Sequence, residues 1–181
     1  MARVVFLGTP GAAVPTLETL IAEHEVGLVV TQPDRPQGRS SKPVPPPVKV
    51  SASAHDIGVA QPQTREELAR VIGHHAPFDV GIVVAYGRIL RPEVLELPGN
   101  GMLNVHFSLL PRWRGAAPVA RALMAGDEMT GVTIIKLDEG LDTGPVLTAQ
   151  AIDISKSDNA GELTDRLARL GARLVANVLP G

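Results

Sequence analysis

The first thirty residues constrain the fold more than any other stretch. Val4 to Leu7 is an unbroken apolar run that stops at Gly8, as expected of a strand buried on both faces. Val14, Leu17, Leu20 and Ile21 then recur at helical spacing, and Val26 to Val30 gives a second buried strand. A strand, helix, strand succession joins parallel strands through a right-handed crossover. The chain is therefore expected to be α/β, an open and mostly parallel sheet with helices on both faces. Its 181 residues, 44% of them hydrophobic, suffice for one core, so residues 1–181 are expected to form a single domain.

Later elements follow from the same periodicities. Thr64 and Glu67 make a capping-box pattern ahead of Leu68, Val71 and Ile72. Asp79 to Ala85 is the most strand-like run, and Tyr86-Gly87 ends it. Pro92 suits a first helical position. Met102 to His106 reads as a strand and Ala117 to Ala125 as a helix. Thr130 to Leu137 and Val146 to Ile154 read as strands around the loop Asp138 to Gly144. A last helix is expected from Ser157 or Asp158 through Leu163, Leu167, Leu170, Leu174 and Val178, with Pro180-Gly181 as its stop. The turn Gly8-Thr9-Pro10-Gly11 lacks G-x-G-x-x-G spacing and reads as a tight turn rather than a dinucleotide site. Between Gln32 and Lys49 lie six prolines with Arg35, Arg39, Lys42 and Lys49 against Asp34 alone. This stretch is expected to be a long, exposed, basic loop, and long loops in compact domains are usually functional.

Charge and composition narrow the partners. A net charge of −2 means that any polyanion must meet a local basic patch. Aromatics at 3% are too few for a platform that stacks on single-stranded nucleic acid, and the absence of cysteine removes thiol chemistry. The N-terminus is not a secretory signal and no run spans a membrane, so a cytoplasmic location is expected.

The chemistry concentrates in Asn104-Val105-His106-Phe107-Ser108-Leu109-Leu110-Pro111-Arg112-Trp113-Arg114-Gly115. Alternate strand residues share a face, so Asn104 and His106 point the same way near a strand end. Two donors there would suit an oxyanion formed when an amine attacks a carbonyl. On spacing alone, a structural amide and a half-buried histidine are the better supported reading. In the loop Leu137 to Gly144, Asp142 is placed to orient His106 and favour its charged form. Asp138 and Glu139 read as a solvated turn, and a metal cluster there is not expected.

Asn-x-His-x-Ser-Leu-Leu-Pro followed by Leu-Asp-x-Gly-Pro resembles the folate-dependent formyltransferases, a group with glycinamide ribonucleotide, amino-sugar and methionyl-tRNA branches. Thr31 to Arg39, Val84 to Leu90 and Arg112 to Pro118 resemble the last branch, and the similarity runs along essentially the whole chain. It implies a Rossmann-like formyltransferase fold. It also implies formyl transfer from 10-formyltetrahydrofolate to the α-amine of initiator methionyl-tRNA, with no metal, no membrane and no obligate protein partner. By position it assigns Asn104, His106 and Asp142 as the catalytic trio. Folate would lie against Val84, Ala85, Tyr86, Gly87, Arg88, Ile89 and Leu90, and against Leu137, Asp138, Gly140, Leu141 and Asp142. The tRNA would meet Arg35, Arg39, Lys42, Arg112 and Arg114. Ser108, Leu109, Leu110 and Pro111 would support the site from behind. Phe107, where relatives often carry a small residue, either narrows the site or packs away from it. Such enzymes usually continue into a C-terminal β-barrel, which is expected to be absent from this chain. Two alternatives remain. The basic loop argues against a small amine as acceptor, and the trio argues against a binding-only module.

Overall fold

The computed structural model describes residues 1–36 and 42–179. The βαβ opening is as expected. Strand β1 (Arg3–Gly8) leads through a short 3-10 turn into helix α1 (Val14–Glu23), and β2 (Glu25–Val30) returns parallel to β1. A side chain at Gly8 would press on Phe6 and Ala13, so this glycine is there for close packing of turn against strand.

The proline-rich stretch is the main correction. Two residue pairs, β3 (Arg35–Pro36) and β4 (Pro43–Val44), form a minimal antiparallel ladder, and helix α2 (Pro47–Ala54) starts before the expected loop ends. Proline is harmless at the first helical position because its missing N–H has no partner there anyway. Lys49 therefore sits on a helix, where its ammonium donates to both Asp34 oxygens at 2.9 Å and to Gln61. It is not a loose loop cation.

Next come the short strand β5 (Val59–Ala60), helix α3 (Arg65–His75), β6 (Val80–Val84), helix α4 (Pro92–Leu95) and β7 (Met102–His106). Thr64 caps α3 by accepting from the Glu67 amide at 3.1 Å. Helix α5 (Pro118–Met124), strands β8 (Met129–Lys136) and β9 (Val146–Asp153) and helix α6 (Ala160–Val178) complete the described chain. Helix α6 starts two residues later than Asp158 because Asn159 makes a reciprocal capping box with Glu162, whereas Asp158 binds Arg166. Pro180 and Gly181 lie outside the described residues.

The main sheet runs β5-β2-β1-β6-β7-β8-β9. Its first five members are parallel, while β8 and β9 are antiparallel to their neighbours. Strand order reverses between β1 and β6, the kind of switch point where open α/β sheets bind ligands. One face carries Phe6, Ile82, Val105 and Ile134 under α1, α5 and α6; the other carries Leu7, Val83 and Met102 under α3 and α4. Residues 104 and 106 alternate onto the second face. Among the described residues no helix is long and apolar enough to cross a membrane.

Candidate active site

A cavity of about 630 Å³ opens on the α3/α4 face at β6 and β7. Three chain segments bound it: residues 85–90 after β6, the turn 115–118 before α5, and the loop 137–142 after β8. The third arrives by an indirect route. Because β8 is antiparallel, Lys136 pairs with Leu103 at the start of β7. The loop must therefore run back along the sheet face to reach the strand's far end. Gly144 closes that loop where any Cβ would overlap the Lys136 carbonyl oxygen, so only glycine fits without a shift.

Asn104, His106 and Asp142 meet at this cavity. The Asn104 amide nitrogen donates to Asp142 Oδ1 at 3.1 Å, and the Gly115 backbone N–H donates to Oδ2 at 2.7 Å. A carboxylate only accepts, so the Asn104 amide is oriented with nitrogen toward Asp142. Its second N–H has no protein partner among the described residues. His106 Nδ1 lies 3.5 Å from Asp142 Oδ2, and the two side chains are only 7% and 10% exposed. The other ring nitrogen, Nε2, donates to the Trp113 carbonyl at 2.9 Å. The geometry thus makes a connected trio, but in it the free donor belongs to Asn104 rather than to His106.

Backbone strain gathers here. Among the described residues five non-glycine residues have positive φ. Four of them, Ala85, Trp113, Ala117 and Asp142, lie at the cavity or in its rim turn. Each such conformation costs about 1–3 kcal/mol and persists only where surroundings over-determine it, typically at functional sites.

Residues Ala85 to Leu90, Leu137, Asp138, Gly140 and Leu141 all line the cavity as expected; Val84 does not, being buried on the α1/α6 side. Strand alternation turns it away. The Tyr86 carbonyl accepts from Thr9 and Gln32, and Arg88 donates to the Pro62 and Gln63 carbonyls, so residues 86 and 88 tie the segment to its neighbours. Burial raises the Tyr86 phenol above its usual value. Asp138 accepts from the Gly140 amide and the Thr143 hydroxyl, which makes it the turn former expected of it. Phe107 follows His106 along the edge of the cavity, but it belongs to the core beneath α6, its ring reaching Gly171.

Ser108 closes the following turn by donating to the Arg112 carbonyl at 2.6 Å, and its own carbonyl accepts from Thr133. Thr133 also accepts from the Leu110 amide, and Leu109 fills the space left by Gly131. Pro111 follows Leu110 through a cis peptide bond in the same turn. Arg112 is exposed but is not a free cation. It forms a two-pronged pair with Asp127 at 2.9 and 2.6 Å. That fork, with the Trp113 indole N–H, holds the Asp127 carboxyl down at about 2. Arg114 is exposed beside the cavity, Arg35 and Lys42 are exposed on the β3/β4 ladder's segment, and Arg39 lies outside the described residues. Sequence reasoning missed Gly115 and Asp127. The signal for Asp127 was the lone tryptophan between two arginines, a cluster that calls for an acid.

The sequence model of a family described as formyl transferase matches residues 2–179. The methionyl-tRNA formyltransferase of Halorhodospira halophila is 55% identical over 184 residues, covering 99% of this chain and 58% of that protein. The enzyme of the same name from Aromatoleum aromaticum is 53% identical over 180 residues, covering 98% and 57%. The chain thus spans less than two thirds of the length of these relatives. Among solved structures, phosphoribosylglycinamide formyltransferase from Streptococcus pneumoniae superimposes with a TM-score of 0.80 at 20% identity, over 98% of this chain and 97% of that one. A formyltetrahydrofolate deformylase from Pseudomonas syringae gives 0.75 at 22% identity, over 96% and 60%. These two likenesses show a shared fold.

Proposed function

The chain belongs to the formyl transferase family, and from that premise we propose that it moves a formyl group from 10-formyltetrahydrofolate to the α-amine of initiator methionyl-tRNA. The observation that carries the reading is the Asn104–Asp142–His106 network lining one cavity. The cavity suits a folate. Its volume lies in the range of cofactor sites, roughly 300–1,000 Å³. The main chain of residues 87–90 makes no hydrogen bond among the described residues, leaving donors and acceptors for a flat heterocycle. The names of the 55% and 53% identical relatives favour tRNA as acceptor, and the exposed Arg114 at the rim offers a cation to its backbone. An acceptor of that kind accords with a cytoplasmic location.

The bound folate supplies the activated one-carbon group. The chain's residues supply the rest. Asn104, with one amide N–H left unpartnered at the cavity, is the donor to stabilise the negative charge that develops on the formyl oxygen as the amine adds. Asp142 fixes that amide's orientation, sets a negative charge beside His106 and, as a carboxylate at the cavity, can take up the proton that the amine must lose. The amine first adds to the formyl carbon; the oxyanion then collapses, the C–N bond to folate breaks, and the amine's proton passes to the departing folate nitrogen. The strained turns around Ala85 and Asp142 hold these groups in place before substrate arrives.

The test is transfer from 10-formyltetrahydrofolate to charged initiator tRNA, with an amino-sugar acceptor in parallel. Formyl-methionyl product that disappears in Asn104→Ala is expected. Product with the sugar alone would move the acceptor and defeat the tRNA reading.

A further inference from the structure

We propose that Asp127 is a positioning residue, which sets the His106 ring through Trp113 although it is not on the cavity. The inference rests on the transfer reading for its kinetic part only. Trp113 is held at both ends. Its carbonyl accepts from His106 Nε2 at 2.9 Å, and its indole Nε1 donates to Asp127 Oδ2 at 2.7 Å. Its ring lies between two guanidinium groups, Arg112 at 4.2 Å and Arg121 at 4.8 Å from the centroid. Arg112 closes the circle on Asp127, and Arg121 donates to the Arg114 carbonyl at 2.8 Å, tying α5 to the same turn.

This clamp has work to do because Trp113 has φ 59. A bulky residue pays a steric penalty in that region and would relax out of it unless held. Relaxation would swing its carbonyl away from His106. A carbonyl oxygen only accepts, so the bond to Nε2 fixes a hydrogen on that nitrogen and leaves Nδ1 facing Asp142. The ring's tautomer and tilt thus depend on where the Trp113 carbonyl points. That in turn depends on the indole anchor. Asp127 suits the role: its side chain is 13% exposed while Arg112 is 57% exposed, so the acid is the fixed, inner member of the pair.

The deciding measurement needs no substrate. The ring nitrogens and ring N–H of His106 are followed by ¹⁵N NMR in the wild type, Asp127→Ala, Asp127→Asn and Trp113→Phe, with each backbone amide spectrum as the folding control. The wild type is expected to show a protonated Nε2 whose hydrogen exchanges slowly. Trp113→Phe keeps a ring between the arginines but has no indole N–H, and it should speed that exchange by about tenfold or more. Asp127→Ala should do the same. Asp127→Asn keeps an oxygen for the indole but sets its NH₂ against Arg112 Nη2, so it should fall between wild type and Asp127→Ala. In the transfer assay, kcat of Trp113→Phe and Asp127→Ala should fall ~10–100-fold, with KM for the folate moved less than about twofold. Unchanged His106 ring signals in a folded Trp113→Phe would overturn the proposal, as would equal damage by Asp127→Asn and Asp127→Ala. Should Asp127→Ala fail to fold, Trp113→Phe and Asp127→Asn decide alone. No transfer by the wild type would defeat the proposed reaction but leave the ring measurement intact.

Discussion

Replacing Asp142 with asparagine separates charge from shape at the centre of the site. The carboxylate accepts from Asn104 Nδ2 and the Gly115 amide, and faces His106 Nδ1 at 3.5 Å. An amide has one oxygen for these three groups. If its NH₂ replaces Oδ2 it opposes the Gly115 N–H, donor against donor. The better arrangement puts oxygen toward Gly115 and NH₂ toward Asn104. Asn104 must then turn over to present its own oxygen, and its free donor moves off the reacting position. Loss of one such donor lowers turnover by ~10²–10³. Hydrogen bonds to charged groups are worth about 1.5–3 kcal/mol, so weakening two and keeping their neutral counterparts should cost about 1–3 kcal/mol overall. For a chain of this size that lowers the melting temperature by roughly 2–4 °C per kcal/mol. Single-turnover formyl transfer and a thermal melt on the same preparation give both numbers. A folded Asp142→Asn that transfers within about tenfold of wild type would refute the oriented-amide reasoning.

Asn104→Ala should lose the same ~10²–10³ in single-turnover rate and also lower the melting temperature by several degrees (about 2–4 °C per kcal/mol), because its hydrogen bond to the mostly buried Asp142 carboxylate is lost with the amide. Asp127, held at about 2 against an ordinary 3.8, favours the folded state above pH 3.8, an advantage lost as pH falls through 2. Asp34 is lowered in the same sense, first by its Lys49 hydrogen bond. Melting temperature should therefore fall as the buffer is taken from about pH 4 to about pH 2, and less steeply in Arg112→Gln. Gly144→Ala would push the 137–144 loop off the Lys136 carbonyl and carry Asp142 with it. Calorimetric titration should find weakened folate binding in a chain that still folds.

The parallel half of the sheet was legible because burial on both faces writes a continuous apolar run. Val4 to Leu7, Val26 to Val30 and, within Asp79 to Ala85, Val80 to Val84 show it. The elements that were not legible are short or break a rule locally. Val59–Ala60 is too brief for any period to show. Helix α2 begins on the last of a run of prolines, which as a group say loop even though Pro47 alone permits a helix. The capping residue of α6 was misplaced because Ser157, Asp158 and Asn159 are all good caps. Only the reciprocal bond with Glu162 selects the last of them.

Alternation along β7 puts Asn104 and His106 on one face from the sequence alone, and resemblance adds Asp142. Neither held information about what each nitrogen bonds. The trio's order depends on three backbone groups, Gly115 N–H, the Trp113 carbonyl and the Lys136 carbonyl, and backbone groups have no residue signature. Sequence shows them only indirectly, as a glycine that must lack a Cβ or a side chain that must hold a strained turn. Gly144 is the first kind and Trp113 the second. An aromatic residue flanked by arginines in a chain with only 3% aromatics is therefore better read as an anchor for its own carbonyl than as a surface for a partner. The two-pronged Arg112–Asp127 pair favours that reading, because an arginine already matched by a carboxylate has little left to offer a phosphate.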